Sequence, residues 1–213
     1  MIIPLIKKDI MIVKGYALCV VALGIGLPLL LAWRQPEMGG LYSFLMATLI
    51  SSVAFNLAIS EKENKYPKAT ALLASTPYMK SGIVRSKYGL YLIIYIVCCI
   101  PSFIETKFIP ELAIDNFLHG AAIVFLIQAV CMGILLPIQF EFGYEKTKIL
   151  GFLIFLSPFL LTAVENIKLS PDVANYFRSS PIVLSLLIFV LGIIIWLISL
   201  NISKKIVIKK DLL

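Results

Sequence analysis

The chain has 213 residues, is 60% hydrophobic and 15% charged, and carries a formal net charge of +7; its mean hydropathy is +0.98. Soluble domains are closer to half apolar and a quarter charged, so an ordinary soluble fold is excluded and one membrane-embedded bundle is what the length accommodates. The basic balance is no nucleic-acid signature either, because that needs a basic patch interleaved with aromatics on a soluble fold, and the longest polar segment here, Glu61–Lys87, has only 27 residues.

Residues 1–14 place Ile3, Ile6, Ile10 and Val13 at helical spacing, with Lys7, Lys8 and Lys14 on the other side. That pattern predicts a helix lying flat at the inner membrane interface. It is not a secretory signal, since the apolar run that follows exceeds a typical h-region and no small-x-small cleavage site comes after it.

Six stretches then lack Asp, Glu, Lys and Arg: Gly15–Trp33, Met38–Ser60, Tyr88–Ile104, Asn116–Phe140, Ile149–Val164 and Ser179–Ser203. A helix rises ~1.5 Å per residue and the hydrocarbon core is ~30 Å thick. The first, second, fourth and sixth stretches therefore span unaided, while the third (17 residues) and fifth (16 residues) must borrow flanking residues. The predicted fold class is all-α: one transmembrane domain over 1–213, with spans at about 15–33, 40–60, 85–104, 117–139, 147–165 and 180–202. Trp33 closes the first span as an interfacial anchor. Pro28, Pro101, Pro137 and Pro158 fall inside spans, where each removes a backbone donor and invites a kink.

Between the second and third spans, residues 61–80 form the most informative polar segment. Pro67 suits a first helical turn, Lys68–Ala74 is a good helix former, and Thr76-Pro77 stops it. Ser81 can then cap the helix that enters the third span. A short cytoplasmic helix tied by tight turns to two spans can receive a push and pass it on.

Charge sets the predicted orientation. With the N-terminus inside, 15 of the 19 Lys and Arg lie in inner segments with six of the 12 acids; Arg34, Lys107, Lys168 and Arg178 are left outside with the other six acids. Cationic loops resist translocation, so both termini are expected in the cytoplasm, and an even number of crossings follows.

The chemistry of the spans is sparse. An ion-coupled carrier needs ionisable groups at membrane depth, and the spans offer only His119 near an outer end and the amides Asn56 and Gln128, which more often join helices than bind cargo. One His and no buried carboxylate argue against an intramembrane enzyme. Cys19, Cys98, Cys99 and Cys131 all lie in spans and read as small packing residues. Phe44, Phe55, Tyr91, Phe125 and Phe155 line a path or face lipid, lipid being the favoured reading. There is no G-x-x-x-x-G-K-[ST], so no P-loop of the chain's own binds ATP.

Three segments carry a family resemblance: Leu5-Ile6-Lys7-Lys8-Asp9 at the start; Glu61-Lys62-Glu63-Asn64-Lys65-Tyr66 with Ser75-Thr76-Pro77 and Ile83-Val84-Arg85-Ser86-Lys87-Tyr88; and Pro137 through Lys146. In order and spacing the chain resembles the small six-span permeases of the ABC type-2 transporter family, including those of phenol-soluble-modulin and related peptide exporters. Tyr78-Met79 departs from the smaller pair expected after the proline. The resemblance implies the type V ABC exporter fold, with residues 1–14 as the connecting helix and Tyr66–Pro77 as a coupling helix. It also implies a homodimer, and a separate ATPase subunit that binds ATP and Mg, the chain itself holding no cofactor or metal. Peptide or other amphipathic cargo and a bacterial plasma membrane follow from the same likeness. The implied ATPase contacts are Tyr66, Lys68, Leu72, Leu73, Thr76 and Pro77; no cargo-binding residue is implied. The alternative reading is a non-transporting membrane sensor or immunity protein that binds a toxic peptide.

Overall fold

In a computed structural model, residues 2–34, 39–66, 80–114, 116–164 and 182–209 are described. Among them the chain forms seven α-helices and no strand: α1 Ile2–Ile12, α2 Lys14–Arg34, α3 Gly39–Lys65, α4 Lys80–Phe108, α5 Phe117–Phe142, α6 Tyr144–Val164 and α7 Ile182–Lys209, with a 3-10 turn at Pro110–Leu112. Five of them (α2, α3, α4, α5 and α7) are long and apolar enough to cross a membrane. The protein is thus an all-α polytopic membrane protein.

Several helices run past their charge-free stretches. α3 continues to Lys65, α4 starts at Lys80, and α7 reaches Lys209. Glu and Lys are good helix formers, and nothing in the backbone bonding stops a helix at the interface. The elongation brings Glu63, Lys87 and Glu105 into packed helices, so the bundle holds charged side chains that a reading by charge-free runs leaves out.

Successive helices alternate in direction. α3 meets α4 antiparallel, through the Glu63–Lys87 pair at one end and the Phe44 and Tyr95 rings at the other. α3 and α5 run parallel, joined by Ser52–Gln128 and Asn56–Gln139. α5 and α7 are also parallel, with His119 beside Ser185 and Gly133 beside Ser199. α6 runs the other way: its Gly151 faces Leu57, and its Glu145 bonds Asn64 near the end of α3. The start of α4 and α6 and the end of α3, α5 and α7 therefore share one face, where α1 also packs, against Gly82 and Gly89 of α4.

α3 is the centre of the bundle: 89% of its most apolar stretch is buried, against 22% for α7 and 17% for α2. Its sequence explains this, since Gly40, Ser43, Ala47, Thr48, Ser51, Ser52 and Ala58 let neighbours approach closely. The closest approach is at Gly40, where a Cβ would lie 2.0 Å from the carbonyl oxygen of Leu112 in the 3-10 turn. On α7 the buried face is Ser185, Gly192, Trp196, Ser199 and Ser203, and the Ile and Leu residues around it face outward. Because α3 is enclosed, Phe44, Phe55, Tyr91 and Phe125 are core residues and do not face lipid, with Phe155 half-buried against them. All four cysteines are free thiols.

The N-terminal helix also departs from its pattern. Leu5, Asp9 and Val13 form its buried stripe, Ile6 and Ile10 flank it, and Ile3 is exposed. Apolar periodicity cannot separate the side that meets protein from the side that meets lipid, and α4 takes the side containing Asp9.

Candidate transmission site at the cation-rich face

Of the expected coupling residues, Tyr66 continues the last turn of α3, its N–H donating to the Lys62 carbonyl at 3.2 Å, and its side chain is exposed. Lys68, Leu72, Leu73, Thr76 and Pro77 lie outside the described residues. The described residues on either side of that segment are the end of α3 and the start of α4.

A charged node sits at that point. Lys87 of α4 is 8% exposed. Its Nζ donates to Glu63 Oε2 of α3 at 2.6 Å and lies 5.7 Å from the centre of the Phe140 ring of α5. Asp9 of α1, 2% exposed, pairs with Lys8 at 2.9 Å. Burial pushes the Asp9 carboxyl above its ordinary range; Lys8 and Lys87 pull it back in part, and Glu63 adds to the rise. One ion pair therefore joins α3 to α4 beside residues 67–79, with the Phe140 ring of α5 against its ammonium and the Asp9 carboxylate of α1 within reach of its charge. Removing one member of such a buried set leaves charge uncompensated, which costs far more than an exposed pair is worth.

From the node, polar side chains lead into the bundle. The Tyr91 hydroxyl donates to Asn56 Oδ1 at 2.6 Å, Asn56 Nδ2 donates to Gln139 Oε1 at 2.9 Å, and Gln139 Nε2 donates to Ser60. Deeper, Gln128 Nε2 donates to Ser52 at 3.0 Å and to the Tyr91 carbonyl at 3.2 Å. A second chain joins α4, α7 and α5. Ser199 Oγ donates to the Gly133 carbonyl at 2.6 Å, which uses its one proton. Tyr88 must then donate to Ser199 at 2.6 Å, and Ser203 to Tyr88 at 2.8 Å. Interhelical hydrogen bonds in membrane bundles contribute about 0.6 kcal/mol each and up to about 1.7, so these chains act together as a set that holds α3, α4, α5 and α7 in one arrangement.

Beside the node, the end of α3 and the start of α6 enclose a groove of about 770 Å³ lined by Leu57, Glu61, Asn64, Lys65, Tyr144, Glu145, Lys148, Ile149 and Phe152. Asn64 Nδ2 donates across it to Glu145 Oε1 at 2.7 Å.

Sequence reasoning singled out Asn56, Gln128 and His119, and the structure places all three in helix-joining bonds. His119 Nδ1 lies 3.1 Å from Ser185 Oγ. The sequence suggested no buried carboxylate, yet Asp9 and Glu105 are buried because neighbouring helices cover them; it also gave no role to Glu63, Lys87, Gln139, Tyr88 or Tyr95, and turned Tyr91 toward lipid. The signal of the tyrosines was present: Tyr88, Tyr91 and Tyr95 recur at helical spacing and so share one face of α4.

The described residues thus form a polytopic helical bundle with a charged node at one end and a polar seam, and they hold no cluster of three or more His, Cys, Asp or Glu that could bind a metal. The sequence matches the family described as ABC-2 family transporter protein over residues 4–207. The chain belongs to that family and is a permease component, the membrane part of an ABC transporter. Comparison with curated proteins and with solved structures gives no match.

Proposed function

We propose that this permease is the transmembrane subunit of an exporter for peptides or other amphipathic molecules, driven by a separate ATPase. The observation that carries the reading is the family match over nearly the whole chain, joined to a bundle with no P-loop of its own. The ATPase binds ATP and Mg and docks on Tyr66–Pro77, with Tyr66, Leu72, Leu73, Thr76 and Pro77 as contacts and Lys68 at the rim. Movement of that segment pulls on the end of α3 and the start of α4. The Asp9–Glu63–Lys87 node carries the pull to α1 and α5, and the polar seam re-pairs in a second arrangement whose population ATP shifts.

In this reading α6 also crosses the bilayer. The parallel α5 and α7 require the chain to return between them, and α6, 21 residues long, runs in the returning direction. Six crossings put both termini on the cation-rich, cytoplasmic side of a bacterial plasma membrane. Two copies form the working unit. The test is co-reconstitution of the chain and the ATPase in vesicles with a fluorescent amphipathic peptide. Movement that needs both subunits and ATP supports the reading. Tight peptide binding with no ATPase in the complex would instead make the chain a sensor or immunity protein.

A further inference from the structure

At the end of the bundle away from the node, α4 carries a buried carboxylate that nothing above uses. Glu105 is 8% exposed, and among the described residues neither of its carboxylate oxygens has a hydrogen-bond partner. Ser102, one turn earlier, is 3% exposed, and its Oγ is also unpartnered. Residues three apart on a helix are surface neighbours, and both extend the buried face formed by Tyr88, Tyr91, Tyr95 and Cys98. The cation nearest in sequence, Lys107, sits 5.9 Å from the Phe103 ring centre instead.

Burying a lone carboxylate is costly unless a proton or another cation satisfies it. In a membrane bundle such a group marks a functional site by default. The two carboxylate oxygens and the Ser102 hydroxyl oxygen can each accept one of the three N–H donors of a primary ammonium group. A divalent metal is a poor fit, because calcium takes about six to eight oxygens. The same end of the bundle holds an aromatic cluster: the Phe117 ring lies 5.0 Å from Phe103 and 6.0 Å from Phe44. A carboxylate and an aromatic cluster at one end of the bundle match the head and the apolar body of an amphipathic amine.

We propose that Glu105 and Ser102 form a binding point for the primary ammonium group of an amphipathic cargo, such as a lysine side chain or a free peptide N-terminus. The proposal rests on the transporter reading for the word cargo, but its binding step needs neither ATP nor an ATPase. The experiment uses the full chain alone in lipid nanodiscs. Dicyclohexylcarbodiimide labelling of Glu105, read by mass spectrometry, is followed with dodecylammonium or with dodecanol at equal membrane content. Charge-assisted hydrogen bonds predict that the amine slows labelling about tenfold more than the alcohol. Ser102→Ala, which keeps the carboxylate, weakens that protection about threefold. Equal slowing by amine and alcohol overturns the proposal. So does absence of labelling without any probe, which would mean that Glu105 already holds an internal cation. Selective protection in a chain that fails to transport would separate this site from the ATP-driven reading.

Discussion

The Lys87–Glu63 pair offers the most informative perturbation, because the structure predicts unequal costs for its two halves. At an effective dielectric constant of about 20, charges 2.6 Å apart attract by roughly 6 kcal/mol, most of which desolvation offsets. Side-chain exposure, 10% for Lys87 and 21% for Glu63, argues by itself that Glu63→Gln is the worse change, since it leaves the more buried charge behind. The neighbours reverse that order. Without Glu63, the ammonium keeps the Phe140 ring and the nearby Asp9 charge. Without Lys87, Glu63 loses its ion-pair partner, and Asp9, already penalised by burial and left with Lys8 alone, still feels the Glu63 charge. Lys87→Met should therefore cost about 3 kcal/mol and Glu63→Gln about 1–2 kcal/mol, within the range for breaking partly buried pairs. The double variant should fall short of the sum by about 1–2 kcal/mol. Denaturant unfolding of the purified chain in mixed micelles measures all three. A Glu63→Gln loss equal to or larger than that of Lys87→Met, or additivity within about 0.5 kcal/mol, would refute the reasoning.

Asp9 gives a pH prediction of a less usual sign. Its folded value lies above the ordinary carboxylate value, taken as 3.8, chiefly through burial, so the ionised form costs the folded state stability. Wild-type stability should fall as pH rises from that ordinary value through the elevated one, and Asp9→Asn should remove this part of the slope; parallel thermal-midpoint profiles would contradict it. Gly40→Ala forces a methyl group against the Leu112 carbonyl, 2.0 Å away in backbone that no rotamer change can move, and should cost about 1–3 kcal/mol. An unchanged thermal midpoint would mean that the 3-10 turn does not pack on α3 as described. A reporter fused after Leu213 should be active only in the cytoplasm, and exterior activity would rule out an even number of crossings.

Much of the architecture was legible because bilayer physics is blunt. Charge-free stretches mark helices, and α7 shows its buried face in Ser185, Gly192 and Ser199, a heptad apart among Ile and Leu, with Ser203 one turn further on. The aromatic side chains were harder. Phe44 and Phe125 read the same whether they meet lipid or protein, and only the enclosure of α3 decides. Asp9 was illegible for a related reason: a carboxylate beside two lysines in a short helix reads as solvated until a neighbour covers it. The Lys87–Glu63 pair joins residues 24 positions apart, a distance that local periodicity does not reach. The coupling segment was read from Pro67 and Thr76-Pro77 and remains an expectation of the sequence, with Tyr66 alone placed, exposed at its root.

The central claim is that a separate ATPase grips residues 66–77 and works the bundle through α3 and α4. The most direct measurement is co-purification of that ATPase with the chain and with the Leu72→Asp, Leu73→Asp double variant. Loss of two apolar anchors to charge predicts at least about a hundredfold weaker association, with the variant still inserted in the membrane and melting like the wild type. A double variant that holds the ATPase and supports transport at the wild-type rate would contradict the account.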